Sequence, residues 1–290
     1  MKNTALWLTL LLALARAASA QVTVEVLLER NQFLPNETMN AKVRIVNNSG
    51  QTLHFGKDDW LSYSIEATDG FVVIKNGNAP IAHDFDVKSS EVATARADLS
   101  PYFDISKPGG YSVTATVRIK DWQMQVSSTP KHFDVVRGVS IWEQSFGVPQ
   151  SPGDHSEPEI RKYILQQATF SRHSELFLRL TDGGTHTLRL LTIGPTISFS
   201  APQMRLDPAS NLHLLYQQAA HVYDYSVISP SGEITKRQTY YYTSSAPHLR
   251  VDDTGNIFIV GGERHIAEND LPSPPKYIVP TNDIPLPVPR

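Results

Sequence analysis

Catalysis and metal binding need particular side chains at particular spacings, and a few short clusters in this chain invite the test. His83-Asp84-Phe85-Asp86 sets an imidazole and two carboxylates within one segment, donor types that a divalent metal takes. Neighbours in an extended segment point to opposite sides, so these residues read equally well as a polar connection between strands, and no metal ion is expected. The ten histidines are scattered, and none stands in a His-Glu-x-x-His arrangement. Arg172-His173-Ser174-Glu175 and Glu263-Arg264-His265 place acid, base and hydroxyl groups side by side, whereas catalytic partners meet through folding rather than as neighbours. Both read as solvated loop ends. No Gly-x-Ser-x-Gly pentapeptide is present, so the strained turn that exposes a serine nucleophile has no candidate. No catalytic residue and no cofactor is expected, although paired carboxylates for glycoside cleavage would leave no local motif.

Aromatic side chains are the remaining group with recognition chemistry. Tyr223 and Tyr225 share one face of a strand, Tyr240 and Tyr242 share one face of the next with Tyr241 opposed, and Ser229 to Glu233 supplies a turn between them. Tyrosines on a sheet stack on sugars or line a partner surface, and cross-strand aromatic pairs also simply stabilise sheets. These five residues form the candidate ligand or partner surface, with core packing as the competing reading.

The elements that position them begin after an address. Lys2, the apolar run Ala5 to Ala15 and the small residues Ala18-Ser19-Ala20 ahead of Gln21 have the layout of a secretory signal peptide cleaved between Ala20 and Gln21. The run is too short for a stable bilayer anchor. Residues 1–20 therefore read as a leader, and the mature chain as a periplasmic or secreted protein with no further membrane span. Its composition, 40% hydrophobic and 19% charged, is that of a folded protein. The net charge of −3 becomes about −5 without Lys2 and Arg16, too weak an imbalance to favour nucleic acid or anionic lipid. Cysteine is absent, so stability comes from sheet packing, and an exported protein of this length without disulfides points to a bacterial envelope.

From residue 21 to 138 the pattern is strand and turn. Val22, Val24 and Val26 alternate with polar residues, as do Ala41, Val43 and Ile45 after the turn-like Phe33-Leu34-Pro35-Asn36-Glu37. Trp60 to Ala67 and Phe71 to Lys75 bracket Asp69-Gly70, a favoured tight-turn pair, and are expected to form a hairpin. A further strand is expected within Val87 to Ala97. After the turn Lys107-Pro108-Gly109-Gly110, the residues Tyr111, Val113, Ala115, Val117 and Ile119 point to one side, as in a half-buried antiparallel strand. Lys131 to Val136 reads as the last strand. About seven strands with frequent turns suggest a two-sheet sandwich.

The succession Phe33 to Glu37, Val43 to Asn48 with Ser49-Gly50, and Pro108-Gly109-Gly110-Tyr111 with Val113 and Ala115 resembles the immunoglobulin-like modules of bacterial envelope proteins. It is also similar to small sandwich domains of the bacterial intracellular proteinase-inhibitor type. The resemblance implies a fold and hardly an activity.

Residues 139–153 read as a linker, because Gly147 to Asp154 is rich in turn residues and has no apolar period. Within it, Ile141, Trp142 and Phe146 read as an apolar knot between domains. A second domain, 154–265, repeats itself. Ala201-Pro202-Gln203-Met204-Arg205-Leu206-Asp207 is echoed 45 residues later by Ala246-Pro247-His248-Leu249-Arg250-Val251-Asp252, and Asn211-Leu212 by Asn256-Ile257. Tyr163 to Ala168 resembles Leu214 to Ala219, with Asp182-Gly183-Gly184 answering Pro230-Ser231-Gly232. Val251-Asp252 followed by Gly255-Asn256-Ile257 resembles the Asp-x-x-Gly-Asn pattern of bacterial β-propeller repeats. In that pattern Asp207, Asn211, Asp252 and Asn256 tie down a tight turn and Gly255 supplies positive φ. Only about two and a half copies fit, whereas closure takes roughly four to eight blades, so an open stack of blade-like sheets is expected. Residues 266–290 form a tail carrying seven prolines from Pro272 onward, which favours extended conformations.

The fold class expected is thus all-β, an immunoglobulin-like antiparallel sandwich followed by an antiparallel domain of blade-like repeats. The function expected is a non-catalytic binding or structural module of the envelope whose partner is an unknown protein or glycan. The alternatives are a secreted carbohydrate-active enzyme and a proteinase inhibitor acting through the first domain.

Overall fold

In the computed structural model, residues 22–272 are described apart from 57–58, 81–83, 151–158, 172, 185 and 198–199. The leader with its Ala20–Gln21 junction, His83, Arg172 and the tail beyond Pro272 lie outside the described residues. Among the described residues the regular structure is β throughout, in several mainly antiparallel sheets, apart from one 3₁₀ turn at Lys120–Trp122. No helix among them is long and apolar enough to cross a membrane. The chain divides into two compact units: residues up to Ile141 with Gln166–Phe170, and Trp142–Leu165 with the residues from Ser171 onward.

The first unit holds β1 (Val22–Leu28), β2 (Gln32–Phe33), β3 (Asn40–Asn47), β4 (Leu53–Phe55), β5 (Leu61–Ala67), β6 (Phe85–Val87), β7 (Glu91–Asp98), β8 (Gly109–Ile119), β9 (Met124–Ser127) and β10 (Lys131–Val135). One sheet runs β1-β3-β7, a second runs β2-β10-β8-β5 with β9 also on β8, and β4 pairs with β6. The period-two valines explain the first sheet: Val24 faces Ile45 and Val26 faces Val43 across β1 and β3, all with buried side chains. Along β8, Tyr111, Val113, Ala115, Val117 and Ile119 are buried in turn. They share one apolar core with Val24, Val43 and Ile45 of the first sheet. Polar residues close the turns. Buried Asn47 donates from Nδ2 to the carbonyls of Gln51 and Val87, both at 2.8 Å, and accepts from Ser49 through Oδ1. Buried Glu37 accepts from the Leu34 N–H at 2.7 Å and pairs with Arg30, which satisfies a carboxylate that burial alone would penalise.

The expected hairpin of Trp60 to Lys75 does not form. Asp69-Gly70 does turn the chain, with Gly70 at φ 80°. However, β5 pairs with β8 instead, Tyr63 opposite Ala115 and Ile65 opposite Val113. Residues 71–75 make only an isolated bridge, Lys75 to Phe103. Val72 and Ile74 are exposed while Val73 packs against the core, and the longer, fully alternating β8 takes the place along β5.

The second unit's strands are β11 (Val139–Gly147), β12 (Ile160–Thr169), β13 (Ser174–Thr181), β14 (Thr187–Thr196), β15 (Gln203–Leu206), β16 (Leu212–Ala219), β17 (Val222–Ile228), β18 (Ile234–Tyr241), β19 (His248–Val251), β20 (Ile257–Val260) and β21 (Glu263–His265), with the division between the units falling inside β11 and β12. They form β11-β12-β13-β14, then β15-β16-β17-β18-β21, then the hairpin β19-β20. The segment read as a linker is therefore strand from Val139 to Gly147, and Phe146 stacks on buried Tyr163 at 4.3 Å with Trp142 packed against the same core. The strand forms by pairing with β12, and Phe146 anchors its end in the core.

Two cores flank the five-stranded sheet. Leu165, Leu176 and Leu178 of the four-stranded sheet meet Leu212, Leu214 and Tyr216 on one face. Leu215, Tyr225 and Val227 meet Leu249 and Ile259 of the β19-β20 hairpin on the other. Burial on both faces explains why Leu212 to Tyr216 is buried without interruption, where a one-sided strand would alternate. The first residues of the proline-bearing segment are held: Leu271 exchanges two backbone hydrogen bonds of 3.0 Å with Arg237 of β18.

Candidate functional site

Two hairpins of the second unit are closed by turns of one design. In the β15-β16 turn, Asp207 Oδ1 accepts from the N–H groups of Ala209 (2.9 Å) and Asn211 (2.8 Å), while Asn211 Nδ2 donates to Asp207 Oδ2 at 2.8 Å. In the β19-β20 turn, Asp252 Oδ1 accepts from Thr254 (2.9 Å) and Asn256 (2.8 Å), while Asn256 Nδ2 donates to Asp252 Oδ2 at 3.0 Å. Ser210 and Gly255 take the same place with φ of 62° and 86°. Asp207, Asn211, Asp252 and Asn256 thus tie down the two turns, as in Asx-type turns, and Gly255 supplies the positive φ of the second. Bonds from Thr254 and then Asn256 bring the Asp252 carboxyl down to about 2.

The five tyrosines separate by depth. Tyr223 stands opposite Tyr240 across β17 and β18, with Tyr225 opposite Gln238. Tyr225 is buried, and Tyr223 and Tyr240 pack half-buried against the same cluster. Tyr240 donates to Gln238 Oε1 at 3.2 Å, and the Arg264 guanidinium lies 5.7 Å over its ring. Tyr241 and Tyr242 are exposed, 38% and 44% respectively. Each has a histidine ring beside it: His265 meets Tyr241 edge-on at 4.9 Å, and His221 lies 5.9 Å from Tyr242. Three of the five thus pack buried or half-buried, and Tyr241 and Tyr242, neighbours at the end of β18 that point to opposite sides, are exposed.

On the face of the five-stranded sheet that carries Tyr225 lies a polar chain that sequence patterning did not reveal. The buried His213 imidazole meets Tyr225 Oη through Nδ1 at 2.6 Å and Asp207 Oδ2 through Nε2 at 3.3 Å. An ionised carboxylate only accepts, so Nε2 carries the proton and Nδ1 accepts from the tyrosine hydroxyl. Burial depresses the His213 pKa against the opposing pull of Asp207. Burial also works to raise Asp207, but its bonds from Asn211 and His213 leave it below the ordinary carboxylate value. The Tyr225 hydroxyl is pushed up to about 12 by burial. These groups lie at 207, 213 and 225, and no local motif in the sequence brings them together. On the opposite face of the same sheet Asp224 accepts from Thr239 at 3.1 Å and from Tyr216 at 3.3 Å, and its pKa is raised by burial.

The remaining clusters are paired locally. Asp86 meets His54 Nδ1 at 2.7 Å across β4 and β6, at the surface. His173 meets Glu175 at 3.2 Å, and Arg264 pairs with buried Asp270. Among the described residues no group of three or more His, Asp or Glu side chains is placed to hold a metal ion.

No protein-family model matches this chain, and no curated protein matches it. Among solved structures, the sporulation control protein Spo0M from Bacillus subtilis aligns over 60% of this chain and 89% of its own, with a TM-score of 0.28 and 9% identity. The chain is thus an all-β protein with a distant structural match and no family assignment.

Proposed function

We propose that this protein is an exported, non-catalytic binding module of the bacterial cell envelope, whose partner is a protein or glycan met by the exposed rings of Tyr241 and Tyr242 at the end of β18. The observation that carries the reading is the exposure of these two rings while their neighbours Tyr223, Tyr225 and Tyr240 pack inward. Tyrosine combines a stacking face with a hydrogen-bonding tip, so an exposed ring suits a sugar or a protein surface. The leader-like residues 1–20 support export. In this reading the first unit is an immunoglobulin-like sandwich, supported by its two sheets about one core. The second unit is a run of blade-like repeats, supported by the matching bonds of the Asp207 and Asp252 turns.

The test is a glycan-array screen beside cross-linked capture from the producing cell envelope, each run with the mature protein and with the Tyr241→Ala/Tyr242→Ala double variant. Saturable binding that the double variant loses, with no product formed, is expected. Binding indifferent to both substitutions, or steady release of cleaved glycan, overturns the reading.

A further inference from the structure

The connection after residues 71–75 carries the chain's only Asn-Gly pair, Asn76-Gly77. Backbone pairing fixes the chain up to this point: the Asp104 N–H donates to the Ile74 carbonyl and the Asn76 N–H to the Tyr102 carbonyl, both at 2.9 Å. Beyond the pair, Ala79 is buried in the core of the first unit. Asn76 and Gly77 lie between these two anchors, and both are exposed.

The pair is chemically open. Gly77 has no Cβ to shield its amide nitrogen, and at φ 154° it holds a backbone conformation that residues with side chains rarely adopt. Among the described residues neither the Gly77 N–H nor the Asn76 carboxamide has a hydrogen-bond partner. Other asparagines are tied down. Asn47, Asn211 and Asn256 each donate from Nδ2 to a carbonyl or a carboxylate, and each precedes a residue with a side chain, Asn48, Leu212 and Ile257.

We propose that Asn76-Gly77 is a site of spontaneous covalent modification, at which an exposed amide becomes a carboxylate without an enzyme. The Gly77 nitrogen attacks Asn76 Cγ and forms an N–Cγ bond. The Cγ–Nδ2 bond breaks, and ammonia leaves with the proton that the Gly77 N–H gives up. Water then opens the cyclic imide with no change of oxidation state. Breaking the N–Cγ bond gives aspartate on the ordinary backbone. Breaking the bond from the nitrogen to the main-chain carbonyl carbon gives isoaspartate, whose chain runs through Cβ and Cγ and is one atom longer. Either product adds a negative charge. The longer one also lengthens the short path between the bonded Asn76 N–H and buried Ala79, and a close-packed core resists that displacement.

The test incubates the mature chain in warm, mildly alkaline buffer made with oxygen-18 water, then maps its peptides by mass spectrometry beside an isoaspartate-specific methylation assay. The label is expected to enter at residue 76 ahead of the other described asparagines, as aspartate and isoaspartate together, and faster as pH rises, because the attacking nitrogen must lose its proton. Asn76→Gln, which would have to close a larger ring, is expected to abolish labelling there. The isoaspartyl form is expected to melt several degrees below the parent, and Asn76→Asp, with the same charge on an ordinary backbone, to melt near it. No label at residue 76, labelling slower by roughly tenfold or more than in a free peptide of residues 73–79, or equal labelling at Asn211 and Asn256 overturns the proposal. An isoaspartyl form that melts like the parent overturns the coupling to Ala79.

Discussion

Ser210 and Gly255 occupy the same position in two turns 45 residues apart, both left-handed, at φ 62° and 86°. The conformation suits glycine and strains serine. What offsets the strain at Ser210 is a hydrogen bond from its Oγ to the Gly147 carbonyl, 2.9 Å long. At Gly255 an added Cβ would also come within 3.0 Å of Pro208 Cγ.

Gly255→Ala is therefore expected to destabilise the second unit by roughly 1 kcal/mol. Ser210→Gly relieves strain but loses its bond, and is expected to stay within about 0.5 kcal/mol of the parent. Urea unfolding followed by tyrosine fluorescence, Tyr163 and Tyr225 being buried in this unit, measures both. Equal effects of the two substitutions would contradict the account.

His213 makes stability depend on pH in a definite direction. Its pKa is depressed in the folded protein by burial, so the fold favours neutral imidazole. That contribution is present above the unfolded value of about 6.5 and is lost as pH falls from there through the folded pKa. The melting temperature of the parent is expected to drop more between pH 7.5 and 5 than that of His213→Gln. Proton–nitrogen correlation spectra are expected to show the proton on Nε2 at neutral pH. A steeper pH response in the variant would reverse the sign argued here.

Asp224 runs the other way. Burial raises its pKa despite bonds from Thr239 and Tyr216, so its contribution is fully present below the unfolded value of about 3.9 and declines as pH rises through the folded one. Asp224→Asn is expected to gain stability relative to the parent at pH 7 and to lose that advantage near pH 4. A constant difference across this range would show that the bonds, rather than the charge, dominate.

At the end of β18, Tyr241→Ala with Tyr242→Ala is expected to change unfolding free energy by no more than about 1 kcal/mol, because both rings are exposed. Tyr225→Phe, by contrast, leaves buried His213 Nδ1 without its donor and is expected to cost about 1–3 kcal/mol. Calorimetric melting separates the two groups of tyrosines. A large loss in the Tyr241/Tyr242 double variant would place those rings in the packing.

Periodicity was a good guide where one face of a strand is wet. The alternation of Tyr111 to Ile119 and of Val22 to Val26 matches the burial along β8 and β1 residue by residue. It was a poor guide at Phe71 to Lys75, where turn chemistry at Asp69-Gly70 suggested a hairpin but the competition for β5 was won by a strand that starts more than forty residues later. The apolar residues of β11 stood beside so many turn residues that they read as connection, and it is pairing with β12, with Phe146 stacked on Tyr163, that makes them strand. Tyr223 and Tyr225 share a face, yet which tyrosines stay exposed depends on where Leu249 and Ile259 of the last hairpin come to lie.

Local residue order was enough for the all-β class, for the longest strands and for the Asp–Asn turn that recurs after 45 residues. Alternation, β-branching and turn residues act over a few positions, and those interactions can be read from neighbours in the chain. The His213 contacts with Asp207 and Tyr225, and the pairing of β5 with β8, arise only when residues apart in sequence are brought together. Strand pairing and sheet stacking are decided by burial summed over the whole unit, a quantity that no short window of residues contains.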